Sequence, residues 1–237
     1  MKYTVHRALA MLKTTKARIG KELASEDAFI RVARGQEDNI RGVAVKDIER
    51  DIQGRYDRIT ALINNYIKVK AAVVKSNAGI LPGSELRTVP IMGQPLTVAE
   101  IIDLNEMVYG NGRTGKNKTL GFKPQFLAKL KRDYVEAQQE FDEMQERADN
   151  EISQYIKTVF DKKKDGDDTD AAAKDIIEAT TKALRDKKAP RFVDPLKIAD
   201  KISKLENEIE TFNVEADSAL SEQNALTTID IDLTEIQ

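Results

Sequence analysis

The sequence predicts a mainly α fold: an elongated bundle of long antiparallel helices with a small antiparallel β element. Three observations predict it. Charged residues make up 33% of the 237-residue chain and aromatics only 5%, with no tryptophan, a profile that suits amphipathic helices better than a compact mixed sheet. Apolar residues recur at spacings of three and four over four stretches too long to be strands. Two short β-branched stretches, "RTVPI" and "TTIDI", each follow a helical pattern that closes on Asn-Ala.

Val5, Ala8, Leu9, Leu12, Ile19 and Leu23 fall mostly three, four or seven apart and predict a first helix from about Thr4 to Ala24. Asp27 to Gly42 is polar and punctuated by glycine, and reads as a mobile connection with a turn or two around Phe29, Ile30 and Val32. From Val45 through Ile52, Ile59, Ile63 and Tyr66 to Val73 a near 3.5-residue period carries a second helix to about Lys75, and such a seam wants a partner. "SNAG" stops it, because Asn and Gly tolerate the left-handed conformation that ends helices.

"LRTVPIMGQPLT" reads as a strand and a tight turn, with Pro90 suited to an edge. Thr97 and Glu100 form a T-x-x-E capping box ahead of the short helix "VAEIIDLNEMV". Pro124 suits a first helical position, and the seam from Leu127 to Val159 implies a helix of nearly forty residues, roughly 55 to 60 Å at 1.5 Å per residue. "DKKKDGDDTD" breaks it. Ala171 to Lys187 forms the next helix, with Ile176, Ile177, Ala183 and Leu184 inward. "APRFVDP" is a brief extended segment in which Asp194 serves as N-cap and Pro195 as first helical residue. The last seam runs from Ile198 to Leu226, and "TTIDIDL" closes the chain as a strand. The reading is one elongated helical domain over 1–237, with an N-terminal helical hairpin (1–75), a strand, short helix and basic loop (76–123), and C-terminal long helices with a terminal strand (124–237).

A net charge of −2 argues against a chain whose main task is to coat nucleic acid. The absence of cysteine excludes disulfides and thiolate metal sites and fits a reducing compartment. The N-terminus shows no signal-peptide pattern, and no run approaches eighteen apolar residues, so the expected partners are proteins and not a membrane.

Two signatures carry a resemblance to a known family. In "SNAGI...TVPIMGQPLTVAEII" a helix, Ser-Asn-Ala, a strand and a Thr-Val-Ala-Glu helix start follow in order. In "FVDPLKIADKISKLENEIETFNVEADSALSEQNALTTIDI" a coiled segment runs into Asn-Ala and a terminal strand. Covering about a third of the chain, they resemble the septicolysin-like family of small bacterial and phage proteins; the insert "LPGSELR" is a departure from its pattern. The resemblance implies a helical fold with a small β element and an occurrence in phage genomes. It brings no catalytic residue and no cofactor.

Tyr109 to Lys118, "YGNGRTGKNK", contains G-x-x-x-x-G-K, the spacing of a phosphate-cradling loop. Such a loop needs a preceding strand, a following helix and a hydroxyl after the lysine to hold magnesium. Here a helix precedes, Asn117 takes the hydroxyl position and "NKTLGFKP" follows, so the segment reads as a connector between helices. Arg113, Lys116, Lys118, Lys123, Lys129, Lys131 and Arg132, with Phe122 and Phe126 among them, form a candidate contact for phosphate or an acidic partner. Basic side chains at a helix start oppose the macrodipole, so helix stability does not account for the cluster. "DKKKDGDDTD" lacks the twelfth-position Glu of a calcium loop, and His6, the sole histidine, has no nucleophile in view, so no metal or catalytic site is expected.

The apolar seams carry most of the functional information. Helices of such unequal length cannot all bury their seams in one unit, so overhanging ends should pack on other copies or other proteins. Thr88, Val89, Ile91, Thr228, Ile229, Ile231 and Leu233 offer a second route, strand pairing within a subunit or across subunits. The expectation is a non-enzymatic, homo-oligomeric structural protein of a phage virion, in head, connector or tail, assembled in the host cytoplasm. The alternatives are a nucleic-acid-associated accessory protein using residues 113–132 and a membrane-active toxin.

Overall fold

The computed structural model of the protein describes residues 4–77, 88–110, 112, 120–160 and 171–226. Six α-helices lie among them: α1 (Val5–Leu23), α2 (Val45–Asn77), α3 (Val98–Leu104), α4 (Phe122–Phe160), α5 (Ala171–Lys188) and α6 (Ile198–Leu226). The strands are short: β1 (Arg31–Arg34), β2 (Asn39–Ile40), β3 (Val43–Ala44), β4 (Thr88–Ile91), β5 (Gln94–Thr97) and β6 (Pro190–Val193). They form three antiparallel pairs, β1 with β6, β2 with β3, and β4 with β5. The protein is mainly α with a minor antiparallel β element.

The chain divides into two compact units, one of Met1–Ser25, Ile59–Ala128 and Ser203–Gln237, the other of Glu26–Arg58 and Lys129–Ile202. These boundaries differ from the sub-parts read from sequence. One falls between α1 and β1 and the others inside α2, α4 and α6, where the heptad-like seam continues without a glycine or proline at the change of unit.

In the first unit, Leu12 and Ile19 of α1, Ile59, Ile63, Tyr66 and Val73 of α2, and Phe212 and Ala216 of α6 are buried, as their spacing requires. Thr4 caps α1, its hydroxyl accepting from the Arg7 amide. The capping box of α3 is complete: the Glu100 amide donates to the Thr97 hydroxyl, and the Glu100 carboxylate accepts from the Thr97 amide at 2.8 Å. A π-helical turn (Asn105–Tyr109) extends α3 and buries Val108 and Tyr109.

"RTVPI" forms β4 and pairs with β5 in a local hairpin. Thr88 faces Thr97 and Ile91 faces Gln94. Met92 and Gly93 connect the strands with φ of 49° and 74°. Positive φ at both loop residues defines the turn whose twist matches that of paired strands, so β4 finds its partner two residues away. Thr228, Ile229, Ile231 and Leu233 lie outside the described residues.

The second unit corrects the reading of residues 27–42 as a mobile connection. Phe29, Ile30, Val32 and Ala33 are buried, and β1 pairs with β6 in the register Arg31 to Val193 through Arg34 to Pro190. A second two-residue loop, Arg41 and Gly42 with φ of 51° and 84°, joins β2 to β3. Gly35 (φ 41°) is indispensable, since a Cβ there would lie 1.9 Å from the Lys187 carbonyl oxygen.

Helix starts need two smaller corrections. α4 begins at Phe122, so Pro124 is its third residue, still within the first turn where no amide needs an intrahelical acceptor. α6 begins at Ile198 and not at Pro195, because Lys197 is left-handed (φ 51°). The Asp194 carboxylate nevertheless accepts from the Ile198 amide at 2.9 Å, so it satisfies the first helical donor from four residues back. On α5, Ile177 and Leu184 are half-buried, whereas Ile176 and Ala183, expected inward, are exposed.

Candidate interaction surface

The described residues of the basic segment are divided between the interior and the surface. Arg113, Lys116 and Lys118 lie outside the described residues. Lys123, one of the first residues of α4, is buried in the first unit. Its ammonium donates to Glu208 of α6 and to the Tyr109 hydroxyl at 2.9 Å, and it lies 4.4 Å from the centre of the Tyr109 ring. That ring stacks on Phe212 with centroids 3.8 Å apart. Burial lowers the Lys123 pKa, opposed by Glu208; burial first and Glu208 second push the Tyr109 phenol far up. The ammonium is neutralised by protein, so it is not presented to a phosphate.

The second unit repeats the pattern with Lys129, which is buried. Its ammonium lies 3.9 Å from Asp133, one turn on, and 5.6 Å from the ring centre of Phe29. Asp133 also accepts from the Phe29 amide at 3.0 Å. The Arg55 guanidinium covers the same ring at 5.1 Å while donating to the carbonyls of Asp27 and Ala28. A loop residue is thereby fixed by a carboxylate on its amide and two cations around its ring. Burial raises the Asp133 pKa against the Phe29 amide and Lys129, and lowers that of Lys129 against Asp133. Of the described basic residues in the 113–132 segment Lys131 and Arg132 are exposed, and Arg132 faces Glu136 and Asp133 at 3.8 and 3.6 Å. Phe122 and Phe126 are buried and unavailable for stacking on bases.

The glycines at the edges of the phosphate-loop look-alike have a packing role. A Cβ on Gly110 would lie 2.2 Å from the Asn105 carbonyl oxygen, and one on Gly121 would lie 2.6 Å from that of Val108. The Gly121 amide donates to the Gly110 carbonyl at 2.8 Å, closing the two ends of the segment against the π-helical turn. A cleft of about 370 Å³ opens beside this turn, walled by Ile91, Leu96, Leu104 and Phe212, with Lys123 and Glu208 at its polar end. Among the described residues no group of three or more His, Asp or Glu side chains is placed to hold a metal ion, and no helix is long and apolar enough to cross a membrane.

Two apolar seams run past their buried stretch. On α4, Ala148 and Ile152 are buried, but Tyr155 and Val159, the next seam positions, are 48% and 42% exposed. On α1, Leu12 and Ile19 are buried, while Val5 and Leu9 are 40% and 50% exposed. Sequence periodicity marked these residues as core, and at the helix ends they meet solvent. Exposed strand positions add to this: Thr88 of β4 is exposed and Val89 half-buried, whereas Ile91 is buried and offers nothing to a partner.

No protein-family model, no curated protein and no solved structure matches the chain.

Proposed function

We propose that this chain is a non-enzymatic structural and interaction protein that works as a homo-oligomer inside a larger assembly. The observation that carries the proposal is the exposure of Val5, Leu9, Tyr155 and Val159 at positions whose spacing belongs to buried seams. A seam apolar to its end is a cost in solution and a gain in an assembly, because fully burying such a side chain contributes about 1.5 to 3 kcal/mol, of which these half-exposed ones have roughly half still to gain. Scattered surface apolar residues need no explanation, but residues in register with a core stripe do. Of the cationic side chains that suggested nucleic acid, Lys123 and Lys129 serve internal ion pairs and are not presented to a phosphate.

The resemblance of its two signatures to the septicolysin-like family supports reading that assembly as a phage virion, formed in the host cytoplasm. Two measurements test the proposal. Light scattering across a concentration series should give a mass that rises above that of one 26.6 kDa chain. A constant monomer mass overturns the assembly reading. Mass spectrometry of purified particles should find the chain at a fixed stoichiometry, and its absence there removes the virion placement alone.

A further inference from the structure

Resting on the assembly reading, we propose that copies of this chain dock α1 of one onto α6 of the next. α1 and the part of α6 from Ser203 onward belong to the first unit, and their exposed charges are opposite. α1 exposes five basic residues and no acidic one; from Ser203 onward α6 exposes Glu210, Asp217 and Glu222 and a single basic residue, Lys204. A helix normally exposes both signs, so two helices each dominated by one sign, within a chain of net charge −2, are complementary surfaces.

Each exposed face combines that charge with bare apolar surface. On α1 the line Val5, Leu9, Lys13, Lys16 runs at spacings of four, four and three, and all four residues are exposed. On α6 the line Glu210, Val214, Asp217 is exposed, opposite the buried positions Phe212, Ala216 and Ala219. Val214, at 64%, is the most exposed of the large apolar side chains among the described residues. Lys13, Lys16, Glu210 and Asp217 have no ion-pair partner among the described residues.

The spacing fits in either orientation. With Leu9 set against Val214, Lys13 lies four residues along α1. Glu210 lies four residues back along α6 and Asp217 three residues on, so an antiparallel or a parallel approach brings lysine beside carboxylate within one residue. The contact joins two different patches and leaves one of each open at the ends. It therefore closes into a ring or propagates.

A reciprocal charge reversal tests it. One variant carries Lys13→Glu and Lys16→Glu; the other carries Glu210→Lys and Asp217→Lys. Circular dichroism checks that these surface changes leave the fold intact. In light scattering at low salt the wild type should associate, each variant alone should associate at least tenfold more weakly, and an equimolar mixture of the two should regain the wild-type level. Wild-type association matched by both variants alone overturns the α1 to α6 contact and leaves the assembly reading standing. Failure of the mixture to recover likewise overturns the contact. A wild type that stays monomeric overturns both.

Discussion

Removing the Asp133 carboxylate should destabilise the second unit more than removing it together with its partner. Asp133 and Lys129 face each other at 3.9 Å with side chains almost fully buried. At that distance and an effective dielectric of 20 their attraction is about 4 kcal/mol. Desolvation costs several kcal/mol per ion, so the intact pair contributes little net stability. Asp133→Ala keeps the cost of burying Lys129 while deleting its counter-charge, and it also leaves the Phe29 amide without its acceptor. The expected loss is about 3 to 5 kcal/mol. In Lys129→Met with Asp133→Asn the amide oxygen still accepts from Phe29 and neither member of the pair carries a charge, so the expected loss is under about 1.5 kcal/mol.

Urea denaturation followed by far-UV circular dichroism reads these differences as shifts in midpoint. The pH dependence supplies an independent check. The folded-state pKa of Asp133 is raised, so the folded protein binds the extra proton and the carboxyl's contribution is complete below its unfolded value, fading as pH rises through the folded one. The wild type should therefore lose stability relative to Asp133→Asn as pH rises through that window. If the double variant is as damaged as the sum of its single substitutions, the two residues are not coupled and this account of the pair is wrong.

Other substitutions follow from the same geometry. Gly35→Ala should cost more than about 2 kcal/mol in urea midpoint, because it combines positive φ with a Cβ 1.9 Å from the Lys187 carbonyl oxygen; a wild-type midpoint would refute the close approach. Thr97→Ala should cost about 1 kcal/mol by removing the capping hydroxyl of α3, and no loss would mean that the cap carries no stability. Tyr109→Phe should abolish an alkaline loss of stability. The phenol's folded pKa is raised, so its contribution is whole below the ordinary value of 10 and fades as pH climbs beyond it; parallel alkaline denaturation of both proteins would refute this. Substituting Tyr155 and Val159 with Ser should leave the urea midpoint within about 0.5 kcal/mol while weakening self-association, and a large loss of stability would mean that they are core after all.

The helices were legible because their signals are local. The seam of α2 survives as buried Ile52, Ile59, Ile63 and Tyr66, and the capping box of α3 forms as its T-x-x-E spacing requires. In the second unit "APRFVDP" was legible as the extended segment that becomes β6, but its partner β1 was not, for a physical reason. β1 pairs with β6 some 156 residues away, and Val32 and Ala33 are both buried, so the period of two that marks a half-exposed strand is absent from "RVAR". A signal did exist for β2 and β3: Arg41-Gly42 between Ile40 and Val43 has the X-Gly form of a two-residue hairpin, as does Met92-Gly93.

The candidate surface shows what periodicity leaves open. Spacing states which residues share a helix face and says nothing about where along the helix the cover ends, so Ile152 and Tyr155 are equivalent in sequence and opposite in exposure. Charge misled in the converse way. Lys123 and Lys129 read as one basic stretch with Lys131 and Arg132, yet each turns inward to a carboxylate, Glu208 from another helix and Asp133 one turn on. The second pairing was available to a sequence reader, because lysine and aspartate at i and i+4 on an apolar face are placed to meet. The first required knowing that α6 approaches the start of α4, which no local pattern encodes. A cation cluster therefore counts as a surface only after the carboxylates at helical spacing, and those the fold brings from elsewhere, have been subtracted from it.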